Sequence, residues 1–592
     1  MSNLPRRDPL AALLGTDEGE RTRSESGPLL RLLLFLVLPA VVTRFGGFRL
    51  NENVLWGCRV AIWGATAALF FQWLADLRRW DSPAEFLRSR PGGAFFVLIG
   101  LVAIPLAATH YGLAGLTAAA GAWSFAVASH RAFRAVVLSP TLQHAPMVTL
   151  VGSFAVIIVG GAMLLWMVPR SLAAGQSITF LDALFTATSA TCVTGLETVA
   201  TGSTFSPFGQ AVVLALIQLG GLGIMTLGTF LVLSTGSRLG LGGRAMLGEA
   251  LNLEDLGRVS RLVASIFALT FVIEGVGALC FLPWFAGDEN PLFSAVFHSV
   301  SAFCNAGIGL RSTSFQDYSG AVSFNIVAMA LIFLGGLGFT VLMELLRWAG
   351  GGFRQHRKAH WLSLHSRLVL TASAVLIVGG ALVFGALEWH GCLEGRSMGE
   401  RTLVSAFQSV SARTAGFSTV DFQAPDGRGV GESSRFFLLF LMLVGASPGS
   451  TGGGMKTTTL VVLLLAVTAL FGGRRHVEVG GRRIPDDIMK KAAAIVFCYA
   501  ITLFLGVLAL LVTEGDTFAV GDLLFEAVSA IGTVGYSVGV SGSEALSEGG
   551  KIVLTILMFA GRLGPLTLVL FTAGGRGEPP PVEFPEERVM IG

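Results

Sequence analysis

The sequence predicts an all-α polytopic membrane protein, and three observations support this fold class. Hydrophobic residues make up 53% of the 592 residues, charged residues only 13%, and the mean hydropathy is +0.70. Soluble domains carry about 25% charged residues. The apolar residues form long continuous runs, not the alternating segments of about 10 residues that outer-membrane barrels use. One short motif also occurs four times along the chain.

The N-terminal quarter of the chain predicts a tail followed by helices. Residues 1–28 are polar and of mixed charge, which favours a flexible cytoplasmic tail rather than a secretory signal. Residues 29–145 predict about four extra transmembrane helices. Their apolar runs lie near 29–43, 54–76, 92–109 and 112–130.

From about residue 146 the chain consists of four repeats, each built around one motif. Each copy has a phenylalanine, a Ser-Ala pair four residues later, and then a glycine, and the third copy is one residue shorter. The copies run over 185–195, 297–307, 407–416 and 525–535. Because each copy lies between two apolar runs, every repeat predicts a helix, a re-entrant pore segment and a second helix. The predicted boundaries are 146–240, 241–350, 351–475 with an intramembrane loop, and 476–573, followed by a cytoplasmic tail at 574–592.

The distribution of Lys and Arg predicts the orientation. The loops that join the repeats are rich in Lys and Arg, whereas the loops that flank the motifs contain few. By the positive-inside bias, the joining loops and both termini face the cytoplasm, and we expect the cell inner (plasma) membrane. The four segments then dip in from outside. Irregular backbone at membrane depth must be buried in protein or line water, so four equivalent dips predict a pseudo-fourfold pore.

The motif residues predict a cation filter made of main-chain oxygens. The fourth copy contains Thr533-Val534-Gly535-Tyr536-Ser537, close to the TVGYG run whose carbonyl oxygens replace the hydration shell of K+. Glycine allows carbonyls to point inward, and each preceding helix directs its negative dipole end at the ion. The alternative is that the glycines only permit close helix packing. The candidate filter residues are Thr191, Cys192, Val193, Thr194, Gly195, Cys304, Asn305, Ala306, Gly307, Thr414, Ala415, Gly416, Thr533, Val534 and Gly535.

These motifs resemble the Trk/Ktr/HKT superfamily of potassium transporters, and within it the Ktr-type membrane subunit. The resemblance covers about residues 145–592, and it also rests on the runs 218–225, 445–456, 561–567 and 584–592. It implies a potassium-selective membrane subunit of an uptake system, because Gly195 stands where sodium-preferring relatives have serine. It further implies a homodimer on a cytoplasmic ring of nucleotide-binding, RCK-type regulatory subunits. This sequence does not encode such a ring, because no Gly-x-Gly-x-x-Gly follows a strand.

A glycine-rich run and a buried arginine are the candidate gate. Five glycines and a proline within 445–456 are poor helix formers and predict a non-helical intramembrane loop. Arg562 falls inside the last apolar run, where a lone cation is costly. The resemblance implies that the loop obstructs the path below the filter and that Arg562 lies beside it; snorkelling of Arg562 to the interface is the alternative. The candidate gating residues are Gly445, Ala446, Ser447, Pro448, Gly449, Ser450, Thr451, Gly452, Gly453, Gly454, Met455, Lys456 and Arg562.

Arg413 is a cation beside a candidate cation filter. Because its charge would repel the ion, we expect it to point behind the filter and to pair with a carboxylate such as Asp421. Four other polar residues fall inside apolar segments and could belong to a proton or sodium path, although paired structural roles are the alternative. They are Asp182, Glu274, His298 and Glu526.

An enzyme is not predicted. The six cysteines form no CxxC pair, and the nine histidines are scattered mostly over loops, so no metal or catalytic cluster is indicated. We expect K+ as the permeant ion and no covalently bound cofactor, while Na+ as an activator or coupling ion stays open. A potassium symporter coupled to Na+ or H+ is therefore the alternative function. Membrane lipids are expected partners near basic clusters such as 354–358, and no nucleic acid is expected.

Overall fold

The computed structural model describes most of the repeat region. The described residues are 146–235, 259–350, 362–422, 429–565 and 567, with a few positions between 56 and 67. The predictions for the tail 1–28, most of 29–145, the cluster 354–358 and the tail 574–592 lie outside the described residues.

The chain divides into two compact units. One unit comprises residues 144–166 and 173–592 and holds all four motifs. The other comprises residues 1–143 and 167–172, and its described part is a short 3-10 helix at Pro169–Ser171 with scattered helical positions.

The described part of the repeat region is helical, as the sequence predicts. Repeat 1 contains α1 (Pro146–Met167), α2 (Phe180–Cys192), α3 (Thr201–Thr204) and α4 (Pro207–Thr235). Repeat 2 contains α5 (Val259–Phe281), α6 (Pro291–Cys304), α7 (Val322–Gly336) and α8 (Phe339–Gly350). Repeat 3 contains α9 (Leu364–Leu387), α10 (Met398–Ser411), α11 (Glu432–Leu443) and α12 (Thr457–Phe471). Repeat 4 contains α13 (Asp486–Glu514), α14 (Val520–Gly532) and α15 (Glu548–Leu563).

A small antiparallel hairpin separates repeats 3 and 4. Strand β1 (Glu478–Val479) pairs with β2 (Arg482–Arg483), with Glu478 opposite Arg483. Its turn consists of Gly480 and Gly481, whose φ angles are 58° and 76°. Two-residue hairpins favour such left-handed turns because their twist matches that of the strands.

Length and composition agree with a membrane protein. Within the described ranges, three helices are long and apolar enough to cross a bilayer: Ser265–Phe285, Leu364–Leu387 and Asp486–Glu514. The helices Val322–Gly336 and Phe339–Trp348 meet the same test only as a pair, and they are bent by 108° at their junction. The apolar run at 322–345 is therefore not one straight helix, although the sequence gives no sign of a break there.

Three of the four short motif helices begin at residues that favour a helix start. Thr179 and Asp182 form a reciprocal capping box at the start of α2, and Ser397 and Glu400 form the same arrangement at the start of α10. Pro291 occupies the first turn of α6. These residues satisfy or remove the free N–H groups of a helix start, whereas α14 begins after Ala519 without a side-chain cap.

The second helices link the motif helices in cyclic order. Helix α4 packs on α2 of its own repeat and on α6 of the next, and α7 packs on α6 and α10. Helix α11 packs on α14, and α15 packs on α14 and back on α2. The phenylalanine of every motif is buried between them, at no more than 2% exposed. Helix α9 packs on both α10 and α11 and so completes the circuit of contacts around the motif helices.

Candidate functional site

All four motif helices end in the same backbone geometry. We call residues 193–195, 305–307, 414–416 and 533–535 the candidate filter segments. The first residue of each segment is left-handed: Val193 (φ 58°), Asn305 (61°), Thr414 (84°) and Thr533 (50°). The last residue is a glycine with positive φ: Gly195 (97°), Gly307 (69°), Gly416 (76°) and Gly535 (96°). In the third motif, which is one residue shorter, α10 ends at Ser411 and the right-handed Ala412 precedes the segment, whose own geometry is the same.

The serine of each Ser-Ala pair holds the segment that follows it. Its main-chain oxygen accepts a hydrogen bond from the N–H of the residue before the glycine, at 2.8–2.9 Å in all four copies. The Oγ atoms of Ser189 and Ser529 also accept from the N–H of the glycine in their own segment, both at 3.0 Å. The Oγ atoms of Ser301 and Ser411 instead donate to the carbonyl after the glycine, at 2.7 and 2.6 Å. These serines are absent from the predicted site residues, and their fourfold repetition was the available signal.

The four glycines lie next to one another in the order of the repeats. A methyl group placed on Gly195 would come within 3.1 Å of the Cα of Gly307 and 3.2 Å of the Cα of Gly535. A methyl group on Gly416 would lie 3.1 Å from the Cα of Gly535 and 3.3 Å from that of Gly307. The segments therefore form a closed ring with no room for side chains at these positions.

Main-chain oxygens of the segments lie at the contacts between neighbouring glycines of this ring. The carbonyl oxygen before the glycine in each segment lies against the glycine of the preceding repeat; these oxygens belong to Thr194, Ala306, Ala415 and Val534. The buried hydroxyls of Thr191, Thr194 and Thr533 have no hydrogen-bond partner among the described residues. Buried polar groups in native proteins almost always have a partner. An oxygen-lined ring with orphan hydroxyls suits a desolvated cation or ordered water.

The run 445–456 is non-helical and lies against the ring. It leaves α11 at Val444 and returns beside it, where Val444 pairs with Met455 in a single bridge. A methyl group on Gly452 would collide with the Oγ1 atom of Thr414, and one on Gly453 with the Oγ1 atom of Thr533. The loop thus touches the filter segments of repeats 3 and 4.

Helix α7 ends at this loop, which supplies its hydrogen-bond partners. The N–H groups of Ser447 and Thr451 donate to the carbonyls of Gly336 and Gly335, at 3.1 and 3.2 Å. The N–H of Phe339 donates to Gly449 O at 2.9 Å. These bonds replace helical ones and account for the 108° bend between α7 and α8.

Two buried cations bind the loop carbonyls. The guanidinium of Arg562, which is 4% exposed, donates to the main-chain oxygens of Thr451 in the loop and Gly220 in α4. The Nζ atom of Lys456 donates to Gly452 O at 2.7 Å. Arg562 therefore lies beside the loop and is not at an interface.

Arg413 does not form the expected ion pair with Asp421. Asp421 is exposed, whereas Arg413 is 8% exposed and its Nε atom has no partner in the described part of the chain. The side chain lines a small cavity with Phe333, Ser373 and Ala446. Arg413 lies among residues of α7, α9 and the loop.

The other polar candidates have structural partners. Asp182 pairs with Lys551 at 2.7 Å, which joins repeats 1 and 4. Glu274 accepts a hydrogen bond from Gln218 Nε2 at 3.2 Å and lies 3.8 Å from the Sγ atom of Cys304. His298 and Glu526 bond to the chain that follows their filter segments. A continuous relay does not emerge from these contacts.

A second set of glycines supports the ends of the motif helices. A methyl group on Gly220, Gly335 or Gly561 would collide with a carbonyl oxygen four residues before a filter glycine. Each of these glycines lies on a second helix, and each occurs in a Gly-containing run that the sequence shows. The spacing of these glycines in the sequence does not show that they contact the carbonyls of the motif helices.

The fold and the site define a polytopic membrane protein in which four short helices direct carbonyl-lined segments at one ring. A family model of TrkH cation transport proteins matches residues 117–575. The match covers more than half of the chain, so the chain belongs to this family. The predicted resemblance is confirmed, and the family is one of transport proteins rather than enzymes.

Individual relatives agree with this assignment. The Ktr system potassium uptake protein B of Bacillus subtilis (strain 168) is 36% identical over 453 residues, covering 76% of this chain and 96% of that protein. The potassium/sodium uptake protein NtpJ of Enterococcus hirae is 35% identical over 450 residues, covering 74% and 96%. The crystal structure of the potassium transporter TrkH from Vibrio parahaemolyticus covers 81% of this chain and 97% of its own, with a TM-score of 0.58 and 21% identity. That likeness shows the fold.

Proposed function

We propose that this chain is the potassium-translocating membrane subunit of a potassium uptake system. Its four repeats surround a pseudo-fourfold pore, and K+ passes through the ring of main-chain oxygens. The observation that carries this proposal is the cyclic contact of Gly195, Gly307, Gly416 and Gly535, each against a carbonyl oxygen of the next repeat. Relatives that cover most of the chain are potassium uptake proteins by name.

Selectivity for K+ comes from the absence of side chains in the ring. Carbonyl oxygens can replace the hydration shell of a monovalent cation without a carboxylate. The φ angle of Gly195 is 97°, a conformation that L side chains rarely adopt. A serine at this position would be strained and would place an atom against the carbonyl of Ala306. We therefore assign K+ preference to the four-glycine ring.

The loop 445–456 and Arg562 form the gate. The loop lies against Thr414 and Thr533 and obstructs the route below the ring, and Arg562 fixes it to α4. A buried guanidinium on this route also repels a cation. Opening requires the loop to move away and Arg562 to exchange its carbonyl partners for water.

The assembly follows the family pattern. The chain works as a homodimer in the plasma membrane, with both termini cytoplasmic, on a ring of nucleotide-binding RCK-type subunits. The basic hairpin with Arg482 and Arg483, exposed in the structure, faces this ring and the lipid headgroups. Such a partner supplies the regulation, because the repeats consist of membrane-type helices.

A coupled transporter is the second candidate, and one observation favours it. The relative from Enterococcus hirae is a potassium/sodium uptake protein by name. Glu274, which is 4% exposed and lies beside Gln218 and Cys304, is a buried carboxylate that a coupling ion could use. Glu274→Gln separates the two functions. A coupled transporter loses the dependence of K+ uptake on an Na+ or H+ gradient, whereas a channel keeps its K+ flux.

Ion flux into proteoliposomes tests the proposed function. We expect the purified chain to take up K+ and Rb+ in preference to Na+ down an imposed gradient, and Gly195→Ser to shift the ratio toward Na+. Gly160→Ser is the matched control, because a side chain there meets nothing within 4 Å. Equal K+ and Na+ flux through the unaltered chain would contradict the proposal.

A further inference from the structure

One buried position in each motif helix faces the chain that follows the filter. It comes directly after the motif phenylalanine and three residues before the motif serine, so it shares a helix face with that serine. The residues at this position are Thr186, His298, Gln408 and Glu526. All four are no more than 1% exposed. The four copies therefore differ widely in side-chain chemistry at a position that is buried in every repeat.

In repeats 2 and 4 this side chain binds main-chain groups beyond the glycine. The Nδ1 atom of His298 faces the carbonyl of Ser294 at 2.8 Å and is therefore its donor, which leaves Nε2 to accept from the N–H of Leu310 at 3.3 Å. The Oε1 atom of Glu526 accepts from the N–H groups of Val540 and Ser541, at 3.2 and 3.4 Å. It also accepts from the hydroxyl of Ser537.

In repeat 3 the side chain connects two repeats. The Nε2 atom of Gln408 donates to the Oγ1 atom of Thr419 at 3.1 Å and to the Oγ atom of Ser418 at 3.4 Å. Its Oε1 atom accepts from the hydroxyl of Tyr536 at 2.6 Å. Tyr536 follows the filter glycine of repeat 4 directly. Gln408 therefore links the residues that follow the third filter segment to the residue that follows the fourth.

Repeat 1 lacks this support. The Oγ1 atom of Thr186 has no hydrogen-bond partner among the described residues, and neither has the Oγ1 atom of Thr198, three residues beyond Gly195. The carboxylate of Glu197 bonds to Thr201 in its own loop instead. A threonine side chain is two heavy atoms shorter than glutamine, so it has less reach toward the returning chain.

We propose that His298, Gln408 and Glu526 are positioning residues for ion selectivity, and that the first filter segment is the least restrained of the four. This inference rests on the proposed function. Discrimination against the smaller Na+ requires that the carbonyl ring does not contract around it, and hydrogen bonds behind the segments oppose such contraction. If selectivity depended only on the number of carbonyl dipoles in a flexible filter, this support would not matter.

The test compares K+ with Na+ flux through full-length protein in liposomes. Gln408→Leu keeps much of the side-chain volume and removes all three hydrogen bonds, and Tyr536→Phe removes one of them with almost no change in shape. We expect the K+/Na+ flux ratio to fall about fivefold in the first and about threefold in the second, as loss of buried hydrogen bonds implies. Thr186→Val should leave the ratio unchanged, because its hydroxyl has no direct partner.

Thr188→Val is the matched control. Its hydroxyl bonds only to Leu184 O within the same helix, and the other three motifs have valine at this position. An unchanged ratio in Gln408→Leu and Tyr536→Phe, with normal melting temperatures, overturns the inference. A fall in Thr186→Val as large as in Gln408→Leu also overturns it. If the unaltered protein itself shows no K+ preference, the proposed function fails instead.

Discussion

Replacement of Arg562 by glutamine tests the proposed gate, because the side chain of Arg562 connects the loop 445–456 to α4. The guanidinium donates to Thr451 O in the loop and to Gly220 O in α4, so it joins two elements that separate in the proposed opening of the path. Hydrogen bonds from charged groups contribute about 1.5–3 kcal/mol each. Part of this is offset because burying a cation is itself costly. A net loss of about 2 kcal/mol from the closed state is the result.

A shift of about 2 kcal/mol changes the ratio of closed to open states about thirtyfold, since 1.4 kcal/mol is tenfold. We expect Arg562→Gln to raise Rb+ uptake into proteoliposomes without a regulatory subunit, up to the point where every pore is open. Arg562→Lys should give a smaller rise, because an ammonium is a point charge that cannot reproduce the planar fork.

Arg435→Gln is the control for this measurement. Arg435 also donates to main-chain oxygens, those of Val430 and Phe422, and lies 3.6 Å from Asp522 at the start of α14, but none of these partners belongs to the loop. Its replacement should leave flux close to that of the unaltered protein. Flux of Arg562→Gln at or below that level, with the protein still folded, would refute the assignment of Arg562 to the gate.

Three further predictions address the ring and the packing around it. Gly195→Ser should lower the K+/Na+ uptake ratio at least tenfold, and an unchanged ratio would remove the basis for the filter. Gly380→Ala should destabilise the protein by about 1–3 kcal/mol because its methyl group meets side chains of two neighbouring helices, whereas Gly379→Ala, which meets nothing, should be neutral in thermal unfolding. Lys551→Met should lower the melting temperature, because it leaves the buried carboxylate of Asp182 without its ion-pair partner. The additional change Asp182→Asn should restore part of the lost melting temperature. If the two changes instead lower the melting temperature independently and additively, the ion pair does not stabilise the protein.

Much of the ring could be predicted from sequence because its determinants are local. A serine and, five or six residues later, a glycine specify the end of each motif helix, and both recur in all four copies of the sequence. The glycine of each copy could be located for the same reason. The relation between the four copies is not local, and it was inferred from repetition rather than from any contact.

The bend between α7 and α8 shows why other features could not be predicted. The run Leu334-Gly335-Gly336-Leu337-Gly338 has the same letters as residues 219–223, which lie inside the continuous helix α4. The two runs therefore differ in their surroundings and not in their residues. At Gly338 the loop comes so close that a methyl group would lie 2.5 Å from Pro448 O. The predicted ion pair between Arg413 and Asp421 was wrong for a similar reason. A charged residue in an apolar segment indicates that it needs a partner, but the sequence does not show where the backbone places the two groups.

A series of contacts through α4, Arg562 and Thr451 connects the loop 445–456 to the ends of the motif helices. Gly220 has no side chain, so α4 can lie against the carbonyl of Thr191 at the end of α2. The carbonyl of Gly220 is also an acceptor for Arg562, whose other acceptor is Thr451. The hydroxyl of Thr451 in turn donates to Phe303 O at the end of α6, at 3.1 Å. Movement of the loop would therefore break a hydrogen bond at the end of α6, so in the proposed gate the opening of the path also changes the restraints on the second filter segment.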